Sequence, residues 1–271
     1  MNVEQLKQLI ITFNENYNKN EIQYILSNFL ALLNNGEIRA AEKIDNKWIV
    51  NTWVKQGILL LFKYSFLKDM SVNKFNFFDK NTLELKKINL ENEIRIVPGG
   101  SSIRTGAYVA KGVICMPPMY INIGAYIDEG SMVDSHALIG TCAQIGKCVH
   151  ISAATQIGGV LEPIGANPVI VEDNVMIGGN SGIYEGVIIK KNAIIGSGVI
   201  LNSSTKVYDI VKENILPFPI VIPEKAVVVQ GSRTINKPFA QKNGLSISTP
   251  IIVKYRDNKS DAKTELENIL R

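Results

Sequence analysis

The chain has 271 residues, 46% apolar and 20% charged, enough to bury a sizeable core and to exclude wholesale disorder. Its 29 basic and 25 acidic residues leave a formal charge of +4, too mild and too scattered for a nucleic-acid footprint. The apolar runs fall far short of the roughly 20 residues that cross a bilayer, and the polar start at Asn2 and Glu4 reads against a secretory leader. Three cysteines without a C-x-x-C pair argue against a disulfide framework or a zinc knuckle. The expectation is a soluble, cytoplasmic protein.

Residues 1 to about 75 read as helical. Val3, Leu6, Leu9, Ile10 and Phe13 share one face at helical spacing, as do Ile22, Ile25, Leu26, Phe29, Leu32 and Leu33. Asn35-Gly36 stops the second helix. A third segment over roughly Asn51 to Tyr64 carries Trp53, Leu59, Leu60 and Phe62.

From Ile103 the pattern changes. An aliphatic anchor recurs every six residues: Ile103, Val109, (Cys115), Ile121, Ile127, Val133, Ile139, Ile145, Ile151 and Ile157. It resumes in a new phase at Val171, Ile177, Ile183, Ile189, Ile195, Leu201 and Val207. Four residues past most anchors stands a small or β-branched residue, such as Ala107, Ser131, Ala143, Thr155, Ser181 or Ala193. A period of six fits neither a helix nor a simple alternating strand. It fits a prism of short strands and corners, three hexapeptides to a coil, with successive coils paired in parallel. This is a parallel β-helix.

Pro163-Ile-Gly-Ala-Asn-Pro-Val-Ile170 interrupts the phase by eight residues and predicts a loop protruding from a rigid scaffold, a common place for function. Beyond Val207 the period fails and Pro217, Pro219 and Pro223 break regularity. Strands are expected at Ala226–Val229 and Ile251–Tyr255, with a short helix over about Asp261 to Leu270. The expected division is 1–94 mainly helical, 95–212 β-helix with the loop 163–170, and 213–271 a small α/β cap over exposed strand edges.

Several stretches resemble the tetrahydrodipicolinate N-succinyltransferase family. They include Arg95-Ile-Val-Pro98, Tyr120-Ile-Asn-Ile-Gly-Ala-Tyr-Ile-Asp-Glu-Gly130, Met132-Val-Asp134, Cys142-Ala-Gln-Ile-Gly146 and Gly158-Gly-Val-Leu-Glu-Pro163. Ala166-Asn-Pro168, Glu172-Asp-Asn174, Tyr184-Glu-Gly186 and Ser204-Thr-Lys-Val-Tyr-Asp209 extend the likeness. Gly36-Glu-Ile-Arg-Ala-Ala-Glu-Lys-Ile-Asp45 and Ile252-Val-Lys254 carry it nearly end to end.

The resemblance implies left-handed winding, against the usual right-handed crossover rule, and a homotrimer with active sites between neighbouring prisms. It implies succinyl transfer from succinyl-CoA to the amine of ring-opened tetrahydrodipicolinate (2-amino-6-oxopimelate), a step toward diaminopimelate and lysine. No permanently bound cofactor or metal is implied, succinyl-CoA being a co-substrate. An acetyl-CoA-dependent transfer to the same or a related amine is the alternative.

Such a reaction must hold two carboxylates, deprotonate an amine and stabilise an oxyanion. The family's substrate arginine falls on Arg95, suited to a bidentate carboxylate, and its essential aspartate on Asp134, which orients the amine or takes its proton. Asp134 also fits a corner-capping role. One departure matters: the family's second carboxylate, three residues before Glu185-Gly186, is here Gly182, which leaves Glu185 as a candidate acid or a surface corner. Glu162, Asn167 and Ser181 are expected near the acceptor, with the loop closing over it. Gly178, Gly179, Gly196 and Gly198 are expected along the pantetheine arm of coenzyme A. Lys190, Lys191 and Lys206 either meet its phosphates or are solvated. The two histidines, His136 and His150, are candidates for the general base that many hexapeptide acetyltransferases use, or are structural or incidental.

Overall fold

The computed structural model describes residues 1–14 and 16–256; the helix expected near 261–270 lies outside them. Every anchor from Ile103 to Leu201 is buried, most of them completely. Each is the second residue of a two-residue strand, as in Met132–Val133 and Leu138–Ile139. The strands pair in parallel with those eighteen residues away on an unbroken turn: Met132 pairs with Ile114 below it and His150 above it.

Three faces result. The first runs through Val109, Ile127, Ile145, Val171, Ile189 and Ile222. The second runs through Ile96, Cys115, Val133, Ile151, Ile177, Ile195 and Val228. The third runs through Ile103, Ile121, Ile139, Ile157, Ile183 and Leu201. The inward columns form one continuous core, in which truncating an isoleucine to alanine costs about 2–5 kcal/mol.

At the corners, small side chains let the chain turn, and polar ones tie coil to coil. Ser131 Oγ donates to Gly146 O at 2.7 Å, Thr155 Oγ1 to Gly178 O at 3.1 Å and Ser181 Oγ to Gly196 O at 3.0 Å.

Two boundaries differ from the expectation. Ile170 is not in the loop; it is buried and pairs with Gln144 as the first residue of a strand, so the excursion spans 158–169. Val207 is buried but forms no rung of the prism. The chain leaves after Leu201, and the next rung of the first face is Val221–Ile222, paired with Ile188–Ile189. Val228 follows on the second face, restoring the six-residue step across the prolines. There the strand Ala226–Thr234 continues into an antiparallel ribbon with Ser246–Tyr255.

The N-terminal segment holds three helices: α1 (Val3–Ile11), α2 (Lys19–Asn34) and α3 (Thr52–Lys63). Asn2 and Asn18 close capping boxes with Gln5 and Glu21. Gly57 of α3 meets Phe29 of α2 so closely that an added Cβ would lie 2.5 Å from the ring. A hairpin absent from the sequence reading, Ala41–Ile44 with Lys47–Val50, turns on Asp45 and Asn46, both at positive φ.

This segment docks on the first face and on the edge preceding it. Ile123 and Cys142 belong to its core. Arg39 lies 3.7 Å over the Tyr126 ring while its Nε donates to Gln144 at 2.8 Å. Lys43 and the Trp48 indole both donate to the buried Glu172 carboxylate, at 2.8 and 2.9 Å. Burial opposes ionisation of Glu172, but these donors and the Lys191 N–H outweigh it and hold its pKa below the ordinary range.

Candidate active site

The edge between the second and third faces concentrates the sequence-predicted residues. Asp134 follows anchor Val133 and begins this edge. One carboxylate oxygen accepts the Ser135 N–H at 2.7 Å; the other has no hydrogen bond among the described residues. Asp134 thus caps a corner and still presents a charge outward. Directly along the same edge the backbone ladder brings Ser152, then Gly178, then Gly196, about 4.8 Å per coil.

Arg95 opens the second face. It pairs with Ile114, which pairs with Met132, so Arg95 and Asp134 leave the same outer surface two coils apart. That is roughly 10 Å along the axis. The guanidinium is exposed and makes no hydrogen bond or ion pair among the described residues. An arginine so placed is a fork open to a carboxylate.

Round the edge, a groove of about 310 Å³ lies on the third face, walled by Gly100, Ser102, Pro118, Tyr120, His136, Leu138 and Gln156. His136 holds the corner beside Asp134 with φ +62° and donates its N–H to Pro118 O. His150 sits in the outward row of the second face between Met132 and Met176. The groove residues Tyr120 and Gln156 were not singled out in the sequence. Their signal was a polar or aromatic residue just before an anchor.

Other predicted residues do not converge here within one chain. The Ser181 hydroxyl is buried and spent on Gly196 O, so its side chain is not offered to a substrate. Glu185 lies on the next edge, exposed, its carboxylate accepting the Ser203 N–H at 2.8 Å and the Ser203 hydroxyl. These bonds hold its pKa below the ordinary value and make it a corner cap.

Glu162 and Asn167 lie in the excursion on that same edge, where Asn167 O abuts Gly186. Lys190 and Lys191 occupy the third edge, with Lys191 3.7 Å from Glu224, and Lys206 lies in the segment that leaves the prism. The lysines therefore stand apart from the glycines. Coil stacking already requires two of those: a Cβ on Gly178 would fall 2.4 Å from Ser197 N, and one on Gly179 2.9 Å from Ala153 O. Gly198 sits at φ +74° with its carbonyl accepting the Gln230 amide.

Burial pushes the thiols of Cys115 and Cys142 up to about 12, so neither is a nucleophile near neutral pH.

A family model described as the tetrahydrodipicolinate N-succinyltransferase N-terminal region matches residues 5–64, and a hexapeptide repeat of succinyl-transferase matches residues 168–203. A 2,3,4,5-tetrahydropyridine-2,6-dicarboxylate N-succinyltransferase of Blochmanniella floridana is 43% identical, aligned over 100% of this chain and 97% of its own. The chain belongs to the tetrahydrodipicolinate N-succinyltransferase family. A Legionella pneumophila (strain Corby) protein of the same name is 44% identical over 91% of this chain and 87% of its own. One from Acinetobacter baylyi is 43% identical over 93% and 90%. The prism is accordingly the left-handed parallel β-helix of hexapeptide-repeat transferases, preceded by the family's helical N-terminal region. No helix among the described residues is long and apolar enough to cross a membrane.

Proposed function

We infer that the chain transfers a succinyl group from succinyl-CoA to the amine of ring-opened tetrahydrodipicolinate, giving N-succinyl-2-amino-6-oxopimelate and CoA. The observation that carries this reading is the end-to-end identity with succinyltransferases. The unpartnered Arg95 guanidinium and the half-open Asp134 carboxylate on one surface support it.

The acceptor is an amine between anionic ends. Arg95 takes one carboxylate. Asp134 draws the amine and accepts its proton, directly or through water, as nitrogen attacks the thioester carbonyl. The new C–N bond forms, the C–S bond breaks, and the CoA thiolate takes up a proton. The groove on the third face receives the acceptor. The donor's arm runs along the edge past Gly178 and Gly196.

Three chains assemble into a trimer, with this edge of one prism facing the next. The outward row of the second face favours that assembly: Ile114, Met132, Met176 and Ile194, with His150 between the two methionines, make a largely apolar strip. Lys190, Lys191 and Lys206, distant from the glycines in one chain, then meet coenzyme A from a neighbouring subunit. Glu162 and Asn167 of the excursion close over the acceptor in the same way. The enzyme works in the cytoplasm, where its thioester donor is made. Acceptor-dependent thiol release from succinyl-CoA, compared with acetyl-CoA, tests the reading.

A further inference from the structure

Tyr184 lies in a seat made by two glycines on adjacent coils. A Cβ built on Gly158 would stand 2.8 Å from its Cδ1. A Cβ on Gly182 would stand 2.4 Å from Cε2, 2.7 Å from the hydroxyl oxygen and 2.8 Å from Cζ. The ring therefore lies flat across the third face, and its hydroxyl occupies the outward position that a side chain at residue 182 would fill.

That position continues the groove's outward row one rung beyond Gln156. The outward row of the third face runs Ser102, Tyr120, Leu138, Gln156 and then Gly182, and the first four line the groove beside Asp134. The Tyr184 hydroxyl thus stands just beyond the groove's Gln156 end, two coils above the Leu138 rung that follows Asp134, about 10 Å along the axis. It makes no hydrogen bond among the described residues. A phenylalanine would fill the two-glycine seat equally well, so packing accounts for the ring and not for the oxygen.

We propose that the Tyr184 hydroxyl binds the acceptor, donating a hydrogen bond to the carboxylate at the far end from the amine that Asp134 draws. This deepens the succinyl-transfer reading and rests on it. On the rung below, the Gln156 amide is already turned toward His136 O and Ala154 O at 3.4 and 3.5 Å. The acceptor is a C7 dicarboxylate whose extended length, by ordinary bond lengths, is about 8–9 Å. It matches the span from the Asp134 corner to Tyr184. Glycine at 182 then has a physical reason: any side chain there evicts the phenol.

The test uses the full chain, with Tyr184→Phe and Gly182→Ala compared with the wild type. Tyr184→Phe is expected to raise KM for tetrahydrodipicolinate about tenfold or more. KM for succinyl-CoA should stay within about twofold and Tm should be unchanged. Gly182→Ala should raise the same KM by displacing the ring. In calorimetry, heptanedioate, a saturated C7 dicarboxylate, should bind Tyr184→Phe several-fold more weakly than the wild type. Unchanged acceptor KM in Tyr184→Phe, or equal rises for both substrates, overturns the proposal. So does equal heptanedioate affinity. A wild type that binds heptanedioate but releases no thiol refutes the transfer reading instead, leaving Tyr184 to be judged by the binding arm.

Discussion

The Lys55 ammonium of α3 donates to the carbonyl oxygen of Ala166 at 2.6 Å, joining the helical segment to the excursion at residues 158–169. Lys55 is completely buried. Burial lowers its pKa, against a smaller opposing influence of Cys142. An ion held in so apolar a place is costly, and its partner here is a loop carbonyl.

Lys55→Met keeps the stem and removes the charge. Leaving a part-buried carbonyl without its partner costs at most about 1–3 kcal/mol, offset by relief of ammonium desolvation, so Tm should move little. The excursion should loosen, raising acceptor KM several-fold and exposing residues 158–169 to protease. Mass-mapped limited proteolysis and steady-state kinetics check this; unchanged cleavage and kinetics would show that the tether does not hold the loop.

Asp134→Asn separates structure from chemistry. Asparagine can still accept the Ser135 N–H, so the corner and Tm should persist while kcat/KM falls at least about 100-fold, the lower range for a lost acid–base group. Arg95→Ala should chiefly raise acceptor KM, because the exposed guanidinium supports nothing else in the described fold. Intact turnover in both variants would remove them from the site.

Gly178→Ala addresses the glycine edge. The new methyl meets the backbone nitrogen of Ser197, which cannot yield as a side chain end would. Overpacking of this kind costs about 1–3 kcal/mol. Thermal melting should show the loss even without ligand; an unchanged Tm would mean that the coils can part there.

Lys86 supplies a pH test. Its ammonium donates to Asn34 O and Oδ1 at 2.9 and 3.0 Å, capping the end of α2, and burial lowers its pKa to about 8. The folded state therefore binds this proton more weakly than the unfolded chain. The charge opposes folding below about pH 8, and that penalty fades as pH rises toward 10.5, the ordinary value. Wild-type Tm should gain on Lys86→Met between pH 8 and 10. Parallel curves would exclude a perturbed Lys86.

The prism was legible because a six-residue period leaves a regular column of anchors, and the N-terminal helices because their apolar residues recur at helical spacing. The return of the prism at Ile222 and Val228 was hidden by the long excursion after Leu201, although those two residues keep the six-residue step. Asp45-Asn46 carried a hairpin signal within a stretch otherwise read as helical. Arg95 and Asp134 were found through resemblance, since spacing alone makes Asp134 a corner cap, which it also is. Tyr184 could not be read: its seat joins Gly158 to Gly182 across a coil of irregular length. The Lys55–Ala166 contact, 111 positions apart, leaves no periodic trace.

Acceptor-dependent succinyl transfer is read most plainly as thiol release by the purified chain with enzymatically generated tetrahydrodipicolinate. Release with succinyl-CoA should require the acceptor, and release with acetyl-CoA should be far slower. No acceptor-dependent release, or equal rates with the two donors, would contradict it.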